Sequence, residues 1–190
     1  MDREAGIEAG MRDEPGIVLV TGVMASGKST VAQLLAERFE RSVHVRGDMF
    51  RKMVVNGRVE MSPDVPEEAE RQLLLRYRLA ASTADAYREA GFRVVVQDVA
   101  VGPMLSDFVG FFRTRPLHVV VLCPRPDVVA EREAARGKKG YGAAWTPAML
   151  DDVLRGTTPR IGLWLDTSDW TAERTVDEIL RRLPEEGGVE

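Results

Sequence analysis

The residues Gly22-Val23-Met24-Ala25-Ser26-Gly27-Lys28-Ser29-Thr30 have the types and spacing of a phosphate cradle, fitting the pattern G-x-x-x-x-G-K-S/T. In such a loop the backbone N–H groups and the positive end of the following helix converge on one anion. Gly22 and Gly27 permit backbone angles and close approaches that a side chain would block. Lys28 has the reach to meet β- and γ-phosphates, and the hydroxyl of Ser29 suits a magnesium ion. The expected ligands are ATP and Mg²⁺, with Gly22, Ala25, Ser26, Gly27, Lys28, Ser29 and Thr30 as the nucleotide-binding set.

A cradle of this kind needs a strand before it and a helix after it. Ile17-Val18-Leu19-Val20 is a short, largely β-branched apolar run, and Val31, Leu34, Leu35 and Phe39 recur at helical spacing. Four further strands are expected at Val43–Val45, Phe92–Gln97, Leu117–Leu122 and Leu163–Asp166, separated by helical stretches. The longest of these runs from Glu67 to about Ala90, and the last from Thr171 to a stop at Pro184. Such alternation implies a mostly parallel sheet covered by helices on both faces, an α/β fold. Ligands of these sheets gather at the carboxyl ends of the strands.

Asp48 and Asp98 stand at two of those ends. Each in isolation reads as a cap for the turn or helix that follows. Beside a phosphate loop, Asp98 becomes a candidate metal residue together with Ser29, and Asp48 a candidate to orient and deprotonate an acceptor hydroxyl. Arg132 and Arg136 lie four residues apart, on one expected helix face, and run into Gly137-Lys138-Lys139-Gly140-Tyr141-Gly142. That arrangement suggests a lid closing over phosphates, with the two arginines as catalytic cations beside Lys28. Tyr141 and Trp145 either cover a substrate or pack the base of the lid. Asp166-Thr167-Ser168 either borders an adenine or forms an Asx turn. Met49, Phe50, Met53, Val54 and Met61 form an apolar cluster near Asp48, expected for the most part in the core, with a substrate wall as the alternative. The long helix carries Arg71, Arg76 and Arg78, any one of which could face the site.

The series GVMASGKST, VRGD ending at Asp48, VVVQDV around Asp98, and EREAARGK carrying Arg132 and Arg136 resembles chloramphenicol phosphotransferase and related small P-loop kinases. The resemblance spans about residues 17–183 as an ordered set of motifs. It implies a five-stranded parallel sheet and transfer of the γ-phosphate of ATP to a small-molecule hydroxyl. It also implies that Asp48 is the base, Lys28 and Ser29 the loop residues, and Arg132 and Arg136 the lid arginines. Gln97 departs from the pattern, since the antibiotic kinase has a second acidic residue there. The carboxyl half is also similar to the tunicamycin-resistance ATP-binding protein, which leaves a resistance role open.

The chain has 190 residues, enough for one domain with a substantial core, expected over residues 16–183 between a charged leader (1–15) and a frayed tail (184–190). A net charge of −4 argues against nucleic acid as the main partner, since phosphate backbones select basic surfaces. A small-molecule acceptor is what the resemblance implies. The alternatives are a nucleotide, sugar or polynucleotide 5′-end kinase and a non-catalytic ATP-binding switch. The single cysteine, Cys123, ends an apolar run and reads as a small core residue. No signal-like or membrane-spanning run is evident, so a cytoplasmic location is expected, with the oligomeric state open.

Overall fold

A computed structural model describes residues 16–137, 140–141 and 144–189. The expected leader, residues 1–15, lies outside the described residues, as do Lys138, Lys139 and Gly142 of the expected lid. Strand β1 (Ile17–Gly22) is buried along its whole length and feeds helix α1 (Lys28–Glu37) through the glycine-bounded loop. Then come β2 (Ser42–Arg46), α2 (Gly47–Lys52), α3 (Glu67–Glu89), β3 (Arg93–Gln97), α4 (Met104–Phe111), β4 (Leu117–Leu122) and α5 (Pro126–Ala135). The chain continues through α6 (Pro147–Gly156), β5 (Leu163–Leu165), α7 (Ala172–Glu186) and β6 (Gly188–Val189).

The first five strands pair in the order β2-β3-β1-β4-β5, all parallel. The chain leaves β1 toward β2 on one side while β4 lies on the other. The loop after β1 therefore stands where the strand order reverses, the usual place for a ligand cleft. Alternate strand residues point to opposite faces. Ile17, Leu19, Val94, Val96, Val119 and Val121 pack with Tyr77 of α3 and Phe108 of α4, whose rings stack with centroids 4.3 Å apart. Val18, Val20, Val95, Val120 and Leu122 meet Leu35 of α1 and Val176, Ile179 and Leu183 of α7 on the other face. Burial on both sides is why the strands read as unbroken apolar runs. Cys123 is buried in the first of these clusters, and burial pushes its thiol pKa up.

The carboxyl end departs from the expected stop at Pro184 and the frayed tail. Helix α7 continues through Pro184 to Glu186, and Gly188–Val189 pairs antiparallel with His118 and Leu117 of β4. Proline removes one backbone donor and crowds the preceding turn. Here the loss falls within the last turn, and Leu183 is fully buried beside it. The Gly187 carbonyl then accepts from Val119 N (2.9 Å), which hooks the helix end onto the sheet. Among the described residues no helix is long and apolar enough to cross a membrane.

Candidate active site

The loop after β1 is built around two unusual backbone positions. A Cβ at Gly22 would fall 2.3 Å from the Leu122 carbonyl oxygen and 2.9 Å from Ser26 Oγ, so no side chain fits there. Ala25 holds φ 61°, the left-handed region, which costs a non-glycine residue on the order of 1 kcal/mol or more. Helix α1 then starts with no side-chain cap and no acidic residue in its first turn. Its leading N–H groups and positive end are left facing the loop. Ser26 Oγ is buried without a hydrogen-bond partner, and Lys28 Nζ donates to the Val23 carbonyl at 2.6 Å. An uncapped helix start, an orphaned buried hydroxyl and a buried ammonium in a loop that excludes side chains fit a phosphate chain. Thr30 stands exposed in the first turn of α1.

Burial is the largest influence on Lys28 and lowers its pKa from an ordinary 10.5 to about 7, with the Arg136 and Arg76 charges pushing the same way. The sign of the consequence is fixed. Between pH 7 and 10.5 the unfolded chain holds a proton that the native chain does not, so the ligand-free protein gains stability as pH rises through that window. A bound polyanion restores the ammonium. Nucleotide binding near pH 8 should therefore take up close to one proton, on the order set by this single group. Calorimetry in buffers of different ionisation enthalpy measures that uptake, and a buffer-independent heat would contradict the buried-lysine assignment.

Ser29 Oγ donates to Gln97 Oε1 at 3.3 Å, because the β1–β3 register sets Val20 beside Gln97 at the strand ends. Asp98, the expected partner of Ser29 at a metal, makes no hydrogen bond to Ser29 among the described residues. Consecutive residues point to opposite sides at a strand end, and the Asp98 carboxylate is turned away to a bidentate ion pair with Arg76. Arg76 Nε donates to Asp98 Oδ2 at 2.6 Å and Arg76 Nη2 makes an ion-pair contact with Oδ1, while Val99 N donates to Oδ1 at 2.7 Å. Among the described residues no group of three or more His, Cys, Asp or Glu side chains is arranged to hold a metal ion. The Ser29 hydroxyl and the Gln97 carbonyl are neighbouring protein oxygens beside the loop. They suit Mg²⁺, which keeps waters and takes its remaining ligands from phosphate oxygens.

Asp48 lies in the first turn of α2 and makes no helix-capping hydrogen bond there. Its Oδ2 accepts from Lys52, and Arg46 Nε lies 3.9 Å from its Oδ1. Burial pushes its pKa up, but the Lys52 hydrogen bond and the charges of Lys52, Arg46 and Arg76 outweigh burial and hold the carboxyl below its ordinary value. Oδ1 is shielded from solvent and accepts no hydrogen bond. One oxygen is thus anchored and the other is left for an incoming donor. The apolar residues around Asp48 differ from expectation. Met49 and Met53 are 45% and 65% exposed rather than in the core, and Phe50 alone of that set packs against it. Helix α2 is only six residues long, too short to bury a full face.

Arg132 and Arg136 do not share a helix face, because α5 ends at Ala135 and Arg136 is extended (φ −80°, ψ 136°). The two nevertheless serve the same loop. Arg132 Nη1 donates to the Ser26 carbonyl (3.4 Å) and Nη2 to the Thr167 carbonyl (3.0 Å), tying the cradle to the segment after β5. Arg136 bears electrostatically on Lys28 and pairs with Glu133 (3.4 Å). The buried Glu133 also accepts from the N–H groups of Gly140 and Tyr141. Tyr141 Oη donates to the Met24 carbonyl at the loop tip (3.0 Å), and Trp145 Nε1 to the Met61 carbonyl (3.1 Å), and both aromatics pack partly buried against the core. Asp166 and Ser168 form the Asx turn, Ser168 N donating to Asp166 Oδ1 at 3.0 Å.

The residue picked out of the three helix arginines is Arg76. Arg71 is solvated with Glu67 and Glu68, and the exposed Arg78 lies over the Phe111 ring. Arg76 follows Leu73 and precedes Ala80 on the buried stripe of α3. Its position three and four residues from apolar neighbours was the available signal.

Comparison with known proteins agrees with the fold. A family model described as an AAA domain matches residues 17–159. A UPF0200 protein of Aeropyrum pernix is 42% identical over 57 residues, which is 30% of each chain, so the match spans under a third of that relative's length. An unliganded sugar kinase from Janibacter sp. HTCC2649 superposes with a TM-score of 0.65 at 20% identity, over 88% of this chain and 93% of that one. A gluconokinase from Sinorhizobium meliloti 1021 gives a TM-score of 0.58 at 23% identity, over 87% and 90%. At these identities the structural likeness is one of fold, that of P-loop NTPases with a parallel sheet between two helical layers.

Proposed function

The chain belongs to the AAA domain family, and from that premise we propose that it is an ATP-dependent phosphotransferase acting in the cytoplasm on a hydroxyl of a small, antibiotic- or metabolite-like molecule. The observation that carries the reading is the pairing of two half-built sites. One is a phosphate cradle with an orphaned Ser26 hydroxyl and a buried Lys28. The other is Asp48, whose Oδ1 accepts nothing and which shares the field of Arg76 with Lys28. The folds of the sugar kinase and the gluconokinase support it as relatives by architecture.

Magnesium-bound ATP would supply the phosphoryl group, the ion drawing charge from its oxygens. The loop amides and Lys28 hold the phosphates, and Ser29 with Gln97 offers the metal its protein oxygens. Asp48 accepts a hydrogen bond from the acceptor hydroxyl through Oδ1 and takes its proton as the oxygen–phosphorus bond forms and the bond to the leaving diphosphate breaks. Arg132 fixes the loop against the segment after β5. Arg136, with the lid held by Glu133 and Tyr141, excludes water that would otherwise accept the phosphoryl group. Transfer passes through a loose, highly charged arrangement, so positioning and charge supply most of the acceleration.

The test is transfer of label from [γ-³²P]ATP to a panel of hydroxylated sugars, polyols and antibiotics. Labelled product supports the reading; ATP binding without transfer to any class, or to water, would favour a nucleotide-dependent switch. With an acceptor in hand, Arg136→Ala should lower kcat about tenfold or more while KM for ATP stays within about threefold. A change confined to KM would reduce the lid arginine to a binding role.

A further inference from the structure

Asp98 and Arg76 form a deeply buried, oppositely charged pair beside the cleft, their side chains 1% and 14% exposed. Two charges are costly to keep out of water, and hydrophobic replacements often do as well for stability. The pair therefore invites a role other than holding the fold. Its surroundings indicate one. Asp98 packs directly against the backbone of Gly47, so closely that a Cβ at Gly47 would fall inside the carboxylate. Gly47 immediately precedes Asp48, the candidate base. The Asp98 carboxylate thus holds two things at once, the turn that presents Asp48 and the guanidinium of Arg76.

Arg76 spends Nε and Nη2 on Asp98. Its Nη1 has no hydrogen-bond partner among the described residues, and it is not among the buried atoms left unpaired. The guanidinium is fixed in the plane of a bidentate pair with one edge uncommitted, the geometry in which arginine meets a phosphate oxygen with little loss of freedom. Arg76 acts electrostatically on Lys28, at the phosphate end of the cleft, and on Asp48, at the acceptor end. Between those two groups the phosphoryl group must pass. Of the cations near Lys28, Arg136 lies in extended chain just past the end of α5, whereas Arg76 sits on a 23-residue helix packed to the sheet.

Resting on the phosphotransferase reading, we propose that Arg76 is a ligand of the phosphoryl group in flight and that Asp98 is the positioning residue that aims it, in place of a metal-binding role for Asp98. Arg76 supplies a fixed positive edge where negative charge spreads over the equatorial oxygens, and Asp98 supplies its orientation and seats Gly47 beneath Asp48.

The experiment uses the full chain and two probes, Mg·ADP alone and Mg·ADP with aluminium fluoride, which mimics the transferring group. Wild-type protein should bind ADP about 100-fold tighter or more when aluminium fluoride is present, as transition-state mimics do. Arg76→Gln alone would strand a buried carboxylate and risk unfolding, so the informative variant is Arg76→Gln with Asp98→Asn, a neutral amide pair of similar size. It should keep its affinity for ADP within about threefold of wild type and lose about tenfold or more of the aluminium fluoride tightening. Asp98→Asn alone, which keeps the cation and loosens its aim, should fall between the two. Undiminished tightening in the double variant overturns the role of Arg76, because a merely structural pair would leave that readout untouched. Undiminished tightening in Asp98→Asn overturns the positioning role. Loss of ADP affinity equal to the loss of tightening also overturns the assignment to the transferring group. A wild-type protein that binds no ADP overturns the phosphotransferase reading itself, and this inference with it; ADP binding that aluminium fluoride does not tighten overturns the inference alone.

Discussion

Lys28→Ala should reduce phosphoryl transfer to below about one thousandth of the wild-type rate while leaving the protein folded. Both halves follow from one location. Lys28 is 7% exposed, its ammonium held inside the loop by the Val23 carbonyl and crowded by Arg136 and Arg76. In the ligand-free protein that charge is a burden, since burial disfavours it and neighbouring cations add to the cost. Alanine removes the burden, so the melting temperature of the ligand-free variant should equal or exceed that of the wild type below pH 7, where the lysine is charged. With a triphosphate in the loop the balance inverts. The only lysine in the cradle is then gone, and the transferring group loses a cation in a water-poor site, where one preorganised charge counts for most. Steady-state rates and thermal melts on the same preparation decide the matter. A variant that keeps its rate would remove the cradle from the chemistry, and one that melts far below wild type would make Lys28 a structural residue.

Asp48→Asn should lower kcat by about 10² to 10⁴-fold, the range for loss of a positioned base, with affinity for ATP unchanged. The substitution keeps size and leaves Lys52 and Arg46 with a polar neighbour, so the defect reports proton transfer and not collapse of α2. The pH dependence is part of the expectation. Burial raises the Asp48 pKa but Lys52, Arg46 and Arg76 lower it further, so the carboxylate stays ionised throughout the neutral range. The acid limb of the wild-type rate attributable to Asp48 should lie below the ordinary carboxylate range, with activity lost only as pH falls through that depressed value. An undiminished kcat in Asp48→Asn, or a limb near neutrality that the substitution abolishes, would contradict its assignment as the base.

The parts of the site that were legible in the sequence are those whose signal is local. A strand, a glycine-bounded loop and a helix in immediate succession identify the cradle, and the continuous valine runs give a sheet buried on both faces. What was not legible depended on direction. Gln97 and Asp98 are adjacent, and only the register of β3 against β1 and the alternation of side chains decide that Gln97 meets Ser29 while Asp98 meets Arg76. Arg136 looked like the next turn after Arg132 because the spacing suits a helix, but α5 stops one residue short of it. The tail could not be foreseen because a proline that ends most helices is tolerated here by a tertiary hook to β4. The methionines near Asp48 carried an apolar signal without a partner element to bury them.

The central claim is that the loop Gly22–Thr30 binds a nucleotide triphosphate through its amides and Lys28. Isothermal titration of Mg·ATP into wild-type protein tests it most directly. Saturable binding with one nucleotide per chain, abolished or weakened by about 100-fold in Lys28→Ala, is the result expected of a charged cradle. No heat of binding from either protein, or equal affinity for both, would contradict it.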